Sequence, residues 1–390
     1  MVLKKLFLLI IFCFFWIFPV NAIDINSKSC IMYNLNDDSI IFEKNINEKL
    51  SIASLTKIMT AVVVIENNDP NDIVVINSNA FYNIDGYALA GFKVGDLVTV
   101  RDLLYGLMLF SGAECGNMLA YYTTDSYSKF VDMMNDKARE LKLDNTNFDN
   151  VIGMDSINNY STVYDLAILL KYALKNELFK EIYTSTNFKT SNGLNLVRTL
   201  DNYGKGLDLT LIKGDKTGHT IDAGYCLSSI SNIDNIDYLI ITLGANNNRD
   251  FIIDHINLYN YFKDNYSYRY ILKKNQFLIS IPVRDAKVDM YDVLSDKDIK
   301  KYLGNDINLD DIEYKYDGID LITRKIQVND KLGTVSIILN DKILDTYDVY
   351  LNTEIVYNTH YLKYIIIVTV FLLIVSIFLV RRIKNIKYRK

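Results

Sequence analysis

The sequence predicts a mixed α/β fold: an antiparallel sheet with helical layers, followed by a small all-β domain and a C-terminal transmembrane helix. Three observations predict it. β-like runs stand at both ends of the first 265 residues with helical runs between them, which suits an antiparallel sheet rather than a βαβ array. From about residue 270 short β-rich runs alternate with turn residues. Tyr364 to Val380 carries no charge over 17 residues, about 25 Å as a helix, enough to cross a bilayer core.

Taken in order, residues 1–22 read as a secretory signal. Lys4 and Lys5 form the basic start, Leu6 to Phe18 the apolar stretch, and Val20-Asn21-Ala22 the cleavage site. SCIMYNLNDDSIIFE (29–43) reads as a hairpin around Asn-Asp-Asp. Leu55, Ile58, Met59, Val62 and Ile65 then recur at helical spacing, and nearly every other position is apolar or small, so this is a buried central helix that ends at Asp69-Pro70. Residues 99–121 hold two apolar helices broken at Ser111-Gly112. Asp125 to Leu143 is an amphipathic helix, and Thr162-x-x-Asp165 has the reciprocal capping form that opens another. Residues 225–231 and 238–244 form a second hairpin around Asn-Ile-Asp-Asn, and Phe251 to Phe262 is helical. FLISIPV, KVDMYDV, IEYKYDG, LITRKIQV, GTVSIIL and ILDTYDVYL supply the strands of the β-domain, with a tyrosine- and lysine-rich joint near 265–275.

The charge arithmetic bounds the partners. Arg381, Arg382, Lys384, Lys387, Arg389 and Lys390 follow the membrane segment, and the positive-inside rule puts them in the cytoplasm. Setting aside these six, Lys363 and the two leader lysines leaves 33 Lys+Arg against 47 Asp+Glu, about −14 outside the membrane. So acidic a surface excludes nucleic acid as a partner. Cys30, Cys115 and Cys226 remain beyond the leader, an odd number, and the latter two read as buried in apolar runs. With three histidines and no C-x-x-C, the chain offers no metal site, and no cofactor is expected.

Ser54-Leu55-Thr56-Lys57 places a serine and a lysine on one face of the buried helix, about 5–6 Å apart at Cβ. Serine is a poor nucleophile alone; a lysine whose pKa burial has lowered can take its proton. The same S-x-x-K letters recur at Ser126–Lys129 on a polar helix start, so the bare pattern carries little. Lys216-Thr217-Gly218-His219 occurs once and leads a strand, where charge, hydroxyl and glycine suit an extended ligand ending in carboxylate. Ser111 sits in the helix break, where its hydroxyl can face a cleft.

S-x-x-K, a serine motif and K-T-G in that order are the signature of penicillin-binding proteins and serine β-lactamases. The flanks IASLTKIMTA, LLYGLMLFSGAECGNMLA, FVDMMNDKARELKLDNTNFDNVIGMDSINNYSTVYDLA and KTGHTIDAGYCLSS resemble the D-alanyl-D-alanine carboxypeptidases (peptidase family S11), strongly over 29–265. TRKIQVNDKLGTVSIILNDK resembles, more weakly, that family's C-terminal β-domain. With the two ends read from their own residues and the middle from the resemblance, the expected division is a signal peptide (1–22), a catalytic domain (23–268), a β-rich domain (269–356), a transmembrane helix (362–380) and a cytoplasmic tail (381–390). The resemblance implies that Ser54 attacks the D-Ala-D-Ala bond of peptidoglycan stem peptides, that Lys57 is its base, and that Ser111 relays a proton. Lys216 and Thr217 would hold the terminal carboxylate, and the N–H groups of Ser54 and His219 the oxyanion, with Gly218 between them. β-Lactam antibiotics would acylate Ser54. One departure stands out: the family's second motif is serine-x-asparagine, and here the third position is Ala113, with Glu114 and Asn117 the nearest polar candidates to take over. Two rivals follow: a catalytically weak penicillin-binding protein, suggested by Ala113, and a β-lactamase using the same residues.

Overall fold

The computed structural model describes residues 23–358 and 360–387; the signal reading of 1–22 lies outside them, as does the end of the basic tail. The chain divides into two compact units, joined between Asp264 and Asn265.

The first unit is built on five antiparallel strands: β1 (Ser29–Asn34), β2 (Ser39–Lys44), β3 (Gly214–Thr220), β4 (Gly224–Ile233) and β5 (Ile236–Ala245), in the order β2-β1-β5-β4-β3. Both expected hairpins are present. The β4–β5 turn is Asp234-Asn235, both with positive φ, a conformation that Asn and Asp tolerate and that matches strand twist. β1 reaches β5 across the whole sequence, pairing Ser29 with Leu243 and Asn34 with Tyr238.

Helices cover the sheet on both faces. α1 (Thr56–Asn67), α2 (Val100–Leu109), α3 (Ala113–Thr124), α4 (Tyr127–Glu140), α5 (Val163–Ala173), α6 (Glu177–Thr184) and the short α7 (Leu200–Tyr203) precede β3. α1 lies within the main core, with Ile58, Met59, Ala61 and Val64 fully buried. α8 (Asp250–Asn265) packs on β4 and β5 through buried polar pairs. Ser229 Oγ lies 2.7 Å from His255 Nδ1 and 2.8 Å from Tyr259 Oη, and Thr242 Oγ1 lies 2.9 Å from His255 Nε2. Burial pushes His255 down to about 3, so it stays neutral and satisfied.

One capping expectation is corrected. Thr162 caps α5 by accepting from the Asp165 N–H, but the Asp165 carboxylate turns to Asn145 N and Thr146 Oγ1 instead of returning to the cap. The full reciprocal box stands at Thr99 and Asp102, at the start of α2.

The second unit is β-rich, with strands Tyr266–Leu272 and Ile299–Gly304 paired, Phe277–Pro282 and Met290–Leu294 paired, and Glu313–Gly318, Lys331–Leu339 and Lys342–Tyr350 in a three-stranded sheet. Ile271, Ile281, Ile322, Leu332, Val335 and Val349 form its core. LITRKIQV is not a strand: only Ile322 makes a bridge, to Val283, and Arg324-Lys325 turn. The tyrosine-rich joint is itself a strand, with Tyr266 stacked on Tyr302 of its partner. The unit ends in α9 (His360–Lys387), whose segment Lys363–Arg382 is long and apolar enough to cross a membrane and is exposed throughout.

Candidate active site

Ser54 sits in a single 3-10 turn, Ala53–Leu55, that runs directly into α1. The turn is forced into place from two sides. Ala53 adopts a φ of +45°, which costs a non-glycine residue energy. Gly153 packs so closely that a Cβ there would lie 1.9 Å from the Ala53 carbonyl oxygen. A Cβ on Gly218 would lie 3.0 Å from Ser54 N. The glycine of K-T-G therefore lets β3 approach the backbone of the serine itself.

One turn on, Lys57 is 1% exposed. Its Nζ donates to Ser54 Oγ at 2.8 Å and to the Ile152 carbonyl at 2.6 Å. Burial drives its pKa well below the ordinary lysine range, and the charge of Lys216 drives it further; Cys115 and Glu114 oppose the shift. The Ile152 carbonyl is held by a tight loop, in which Asn150 Oδ1 accepts from the N–H groups of Ile152, Gly153 and Met154 at 3.3, 2.6 and 2.8 Å. The loop also satisfies the hydroxyls of the buried helix: Thr60 donates to Val151 O at 2.7 Å, and Asn159 Nδ2 donates to Thr56 Oγ1 at 3.0 Å.

Opposite stands the break between α2 and α3. Ser111 has a φ of +64° and is nearly buried, with its hydroxyl at the cleft. Ala113 donates its N–H to Ala88 O at 2.8 Å. Asn117 does not replace the missing amide: its Nδ2 donates to the carbonyls of Ala80 and Tyr82 at 3.3 and 2.8 Å. Glu114 is fully buried, and its Oε1 accepts from Gly91 N at 2.9 Å.

β3 is the edge strand of the sheet, so no strand covers its outer side. Thr217, Gly218 and His219 line a cleft of about 430 Å³ together with Ser54, Lys57 and Ser111. Lys216 lies beneath this surface, 1% exposed, with its Nζ on the Thr217 carbonyl at 2.9 Å. Burial brings it down to about 8, against the opposing pull of Asp215. Asp215 is itself raised to about 6 by burial, against Arg198, whose guanidinium lies 3.2 Å away. The His219 ring is exposed and stacks on Tyr225 at 4.0 Å.

All seven sequence-predicted residues thus converge on one place, six on the cleft wall and Lys216 just under it. Sequence reasoning missed the Ile152 carbonyl and the segment Asp85–Ala88, which forms another wall. Gly153 was the available signal, an isolated glycine in an apolar run. Cys30, Cys115 and Cys226 are buried free thiols.

A family model described as D-alanyl-D-alanine carboxypeptidase matches residues 18–247. The chain is 26% identical to the D-alanyl-D-alanine carboxypeptidase DacF of Bacillus subtilis over 327 residues, 82% of this chain and 83% of that one. It is 34% identical to DacD of Escherichia coli over 215 residues, 52% and 54% of the two chains. Among solved structures, the Streptomyces K15 DD-transpeptidase superposes with a TM-score of 0.56 at 28% identity, over 61% of this chain and 97% of that one. DacD of Francisella tularensis gives 0.67 at 22% identity, over 86% and 95%, a likeness of fold.

Proposed function

Because the chain belongs to the D-alanyl-D-alanine carboxypeptidase family, we propose that it removes the terminal D-alanine from peptidoglycan stem peptides through an ester on Ser54. The observation that carries this is a serine hydroxyl 2.8 Å from a fully buried lysine amine. Burial and the nearby Lys216 favour the neutral amine. In that form its lone pair can accept the Ser54 proton across the same 2.8 Å.

The substrate lies along the open edge of β3, its carboxylate drawn by Thr217 and by the positive charge of Lys216 beneath. Ser54 Oγ attacks the penultimate carbonyl as its proton passes to Lys57. The oxyanion falls to the N–H groups of Ser54 and His219, donors of a kind worth about 3–4 kcal/mol each. Lys57, by way of Ser111, returns the proton to the leaving amine, and D-alanine departs. Water then cleaves the acyl ester by the same relay in reverse. A β-lactam enters the same path, but its leaving amine stays tethered, so the ester persists.

We further propose that α9 crosses the cell membrane once, with its basic end in the cytoplasm and both units outside. The apolar, exposed run Lys363–Arg382 and the cationic residues that follow support that orientation. Intact-mass measurement after penicillin treatment, with D-alanine release from a pentapeptide, tests the enzymatic reading. Wild type should gain one adduct on Ser54 and release D-alanine, and Ser54→Ala should do neither. A wild type that is neither labelled nor active would overturn it.

A further inference from the structure

Residues Asp85 to Phe92 form a strap with no helix or strand of its own, yet Asp85, Gly86, Tyr87 and Ala88 wall the cleft. What holds it is a set of single hydrogen bonds to α3. Ala113 N donates to Ala88 O at 2.8 Å, and Gly91 N donates to Glu114 Oε1 at 2.9 Å. Further back, Asn117 holds Ala80 and Tyr82. Burial raises the Glu114 carboxyl above its ordinary pKa, against the backbone N–H of Gly91. Its second oxygen, Oε2, is buried with no hydrogen-bond partner. An unpaired buried oxygen is a cost that an apolar residue would avoid, so the carboxyl is not there for packing.

Tyr87 shares the cleft wall with Asp155, and Asp155 Oδ2 accepts from Asp222 N at 3.3 Å, just beyond the end of β3. Hydrogen bonds therefore tie the strap to the second motif, and tie the neighbouring 155 loop to the turn after the K-T-G strand. We propose that Glu114 is a positioning residue that anchors this strap and so sets the width of the substrate cleft. The inference rests on the carboxypeptidase reading for its effect on turnover, but not for its effect on the strap. Glu114 touches no reacting atom; beyond the charge it presents to Lys57, it acts through Gly91 and the strap.

The test uses the full chain in zwitterionic nanodiscs, comparing wild type, Glu114→Ala and Glu114→Gln. Glu114→Ala should raise KM for a D-Ala-D-Ala pentapeptide at least fivefold with a smaller change in kcat, and should speed amide exchange at residues 87–92. Glutamine keeps the accepting oxygen, so Glu114→Gln should restore both readouts. An unchanged KM and exchange in Glu114→Ala overturn the inference. So does failure of glutamine to rescue, or an exchange increase spread evenly over the first unit. If wild type releases no D-alanine, the functional reading fails, and exchange at the strap still decides whether Glu114 holds it.

Discussion

Two stretches of this chain spell S-x-x-K, and they have opposite fates. Ser126 is the N-cap of α4; its hydroxyl lies 3.5 Å from Lys129 N and 3.1 Å from Ser128 Oγ, and Lys129 is exposed. Ser54 lies in a strained turn under an edge strand, and Lys57 is buried against it. The spacing is the same, so spacing does not make a nucleophile. What differs is the loss of water around the amine and the second cation nearby, which together favour its neutral form. An ammonium in solvent keeps that proton and cannot act as a base near neutral pH.

The largest break in this comparison is at the two lysines. Lys57→Ala should lower the rate of Ser54 acylation by about 10²–10⁴-fold, the range for a lost general base, with cooperative unfolding retained. Lys129→Ala should change it less than about twofold. Stopped-flow acylation by a fluorescent penicillin measures both. Full activity in Lys57→Ala would mean that the base lies elsewhere.

Next comes the wall that only the buried pair possesses. A methyl at 218 would sit 3.0 Å from Ser54 N, 3.1 Å from Ala53 Cβ and 3.2 Å from Leu55 Cδ1. Gly218→Ala should push the strand and the serine apart and slow acylation on the order of tenfold to a hundredfold, as a small misplacement of reacting groups does. The same assay reads it, and an unaltered rate would show that β3 has room to move.

How much of this was legible in the letters depended on what each residue answers to. Hairpins, the helix break at Ser111-Gly112 and the buried helix follow from local pattern, and all are present. The seven candidate residues also come together at one cleft, because their motifs are contiguous and their flanks specific. The Ile152 carbonyl was not legible, since any residue type has a carbonyl and only the fold of the Asn150 loop aims it. Nor was the strap, which owes its shape to bonds from α3. The second unit fared worse. TRKIQ looked β-like but turns at Arg324-Lys325, while Tyr266–Leu272 looked like a linker and is a strand, because its tyrosines stack across to Tyr302.

The pH dependence sharpens the contrast further. Acylation needs Lys57 neutral, so the rate should rise with pH through its lowered pKa. It also needs Lys216 charged to draw the carboxylate, so the rate should fall as pH passes about 8. Beyond that point the loss is about tenfold per pH unit. Lys216→Arg keeps the charge and should move the falling limb upward, measured as kcat/KM for the pentapeptide. Both lysines have depressed folded-state pKa values, so between those and the ordinary lysine value the unfolded chain binds more protons. Folding stability contributed by these groups should therefore rise with pH.

The smallest effect lies at the other serine and completes a double dissociation. Ser126 contributes a cap, and its bond to Lys129 N is long at 3.5 Å. Ser126→Ala should cost about 0.5 kcal/mol of stability, the low end for an N-cap, and leave the acylation rate unchanged. Ser54→Ala should abolish the adduct and shift stability little, since Lys57 keeps its bond to Ile152 O. Denaturant unfolding of the two variants, beside penicillin labelling, separates a serine that shapes a helix from one that the fold has made reactive. If Ser126→Ala slowed acylation, α4 would have to be coupled to the turn at Ala53–Leu55, and burial around Lys57 alone would no longer account for the difference between the two motifs.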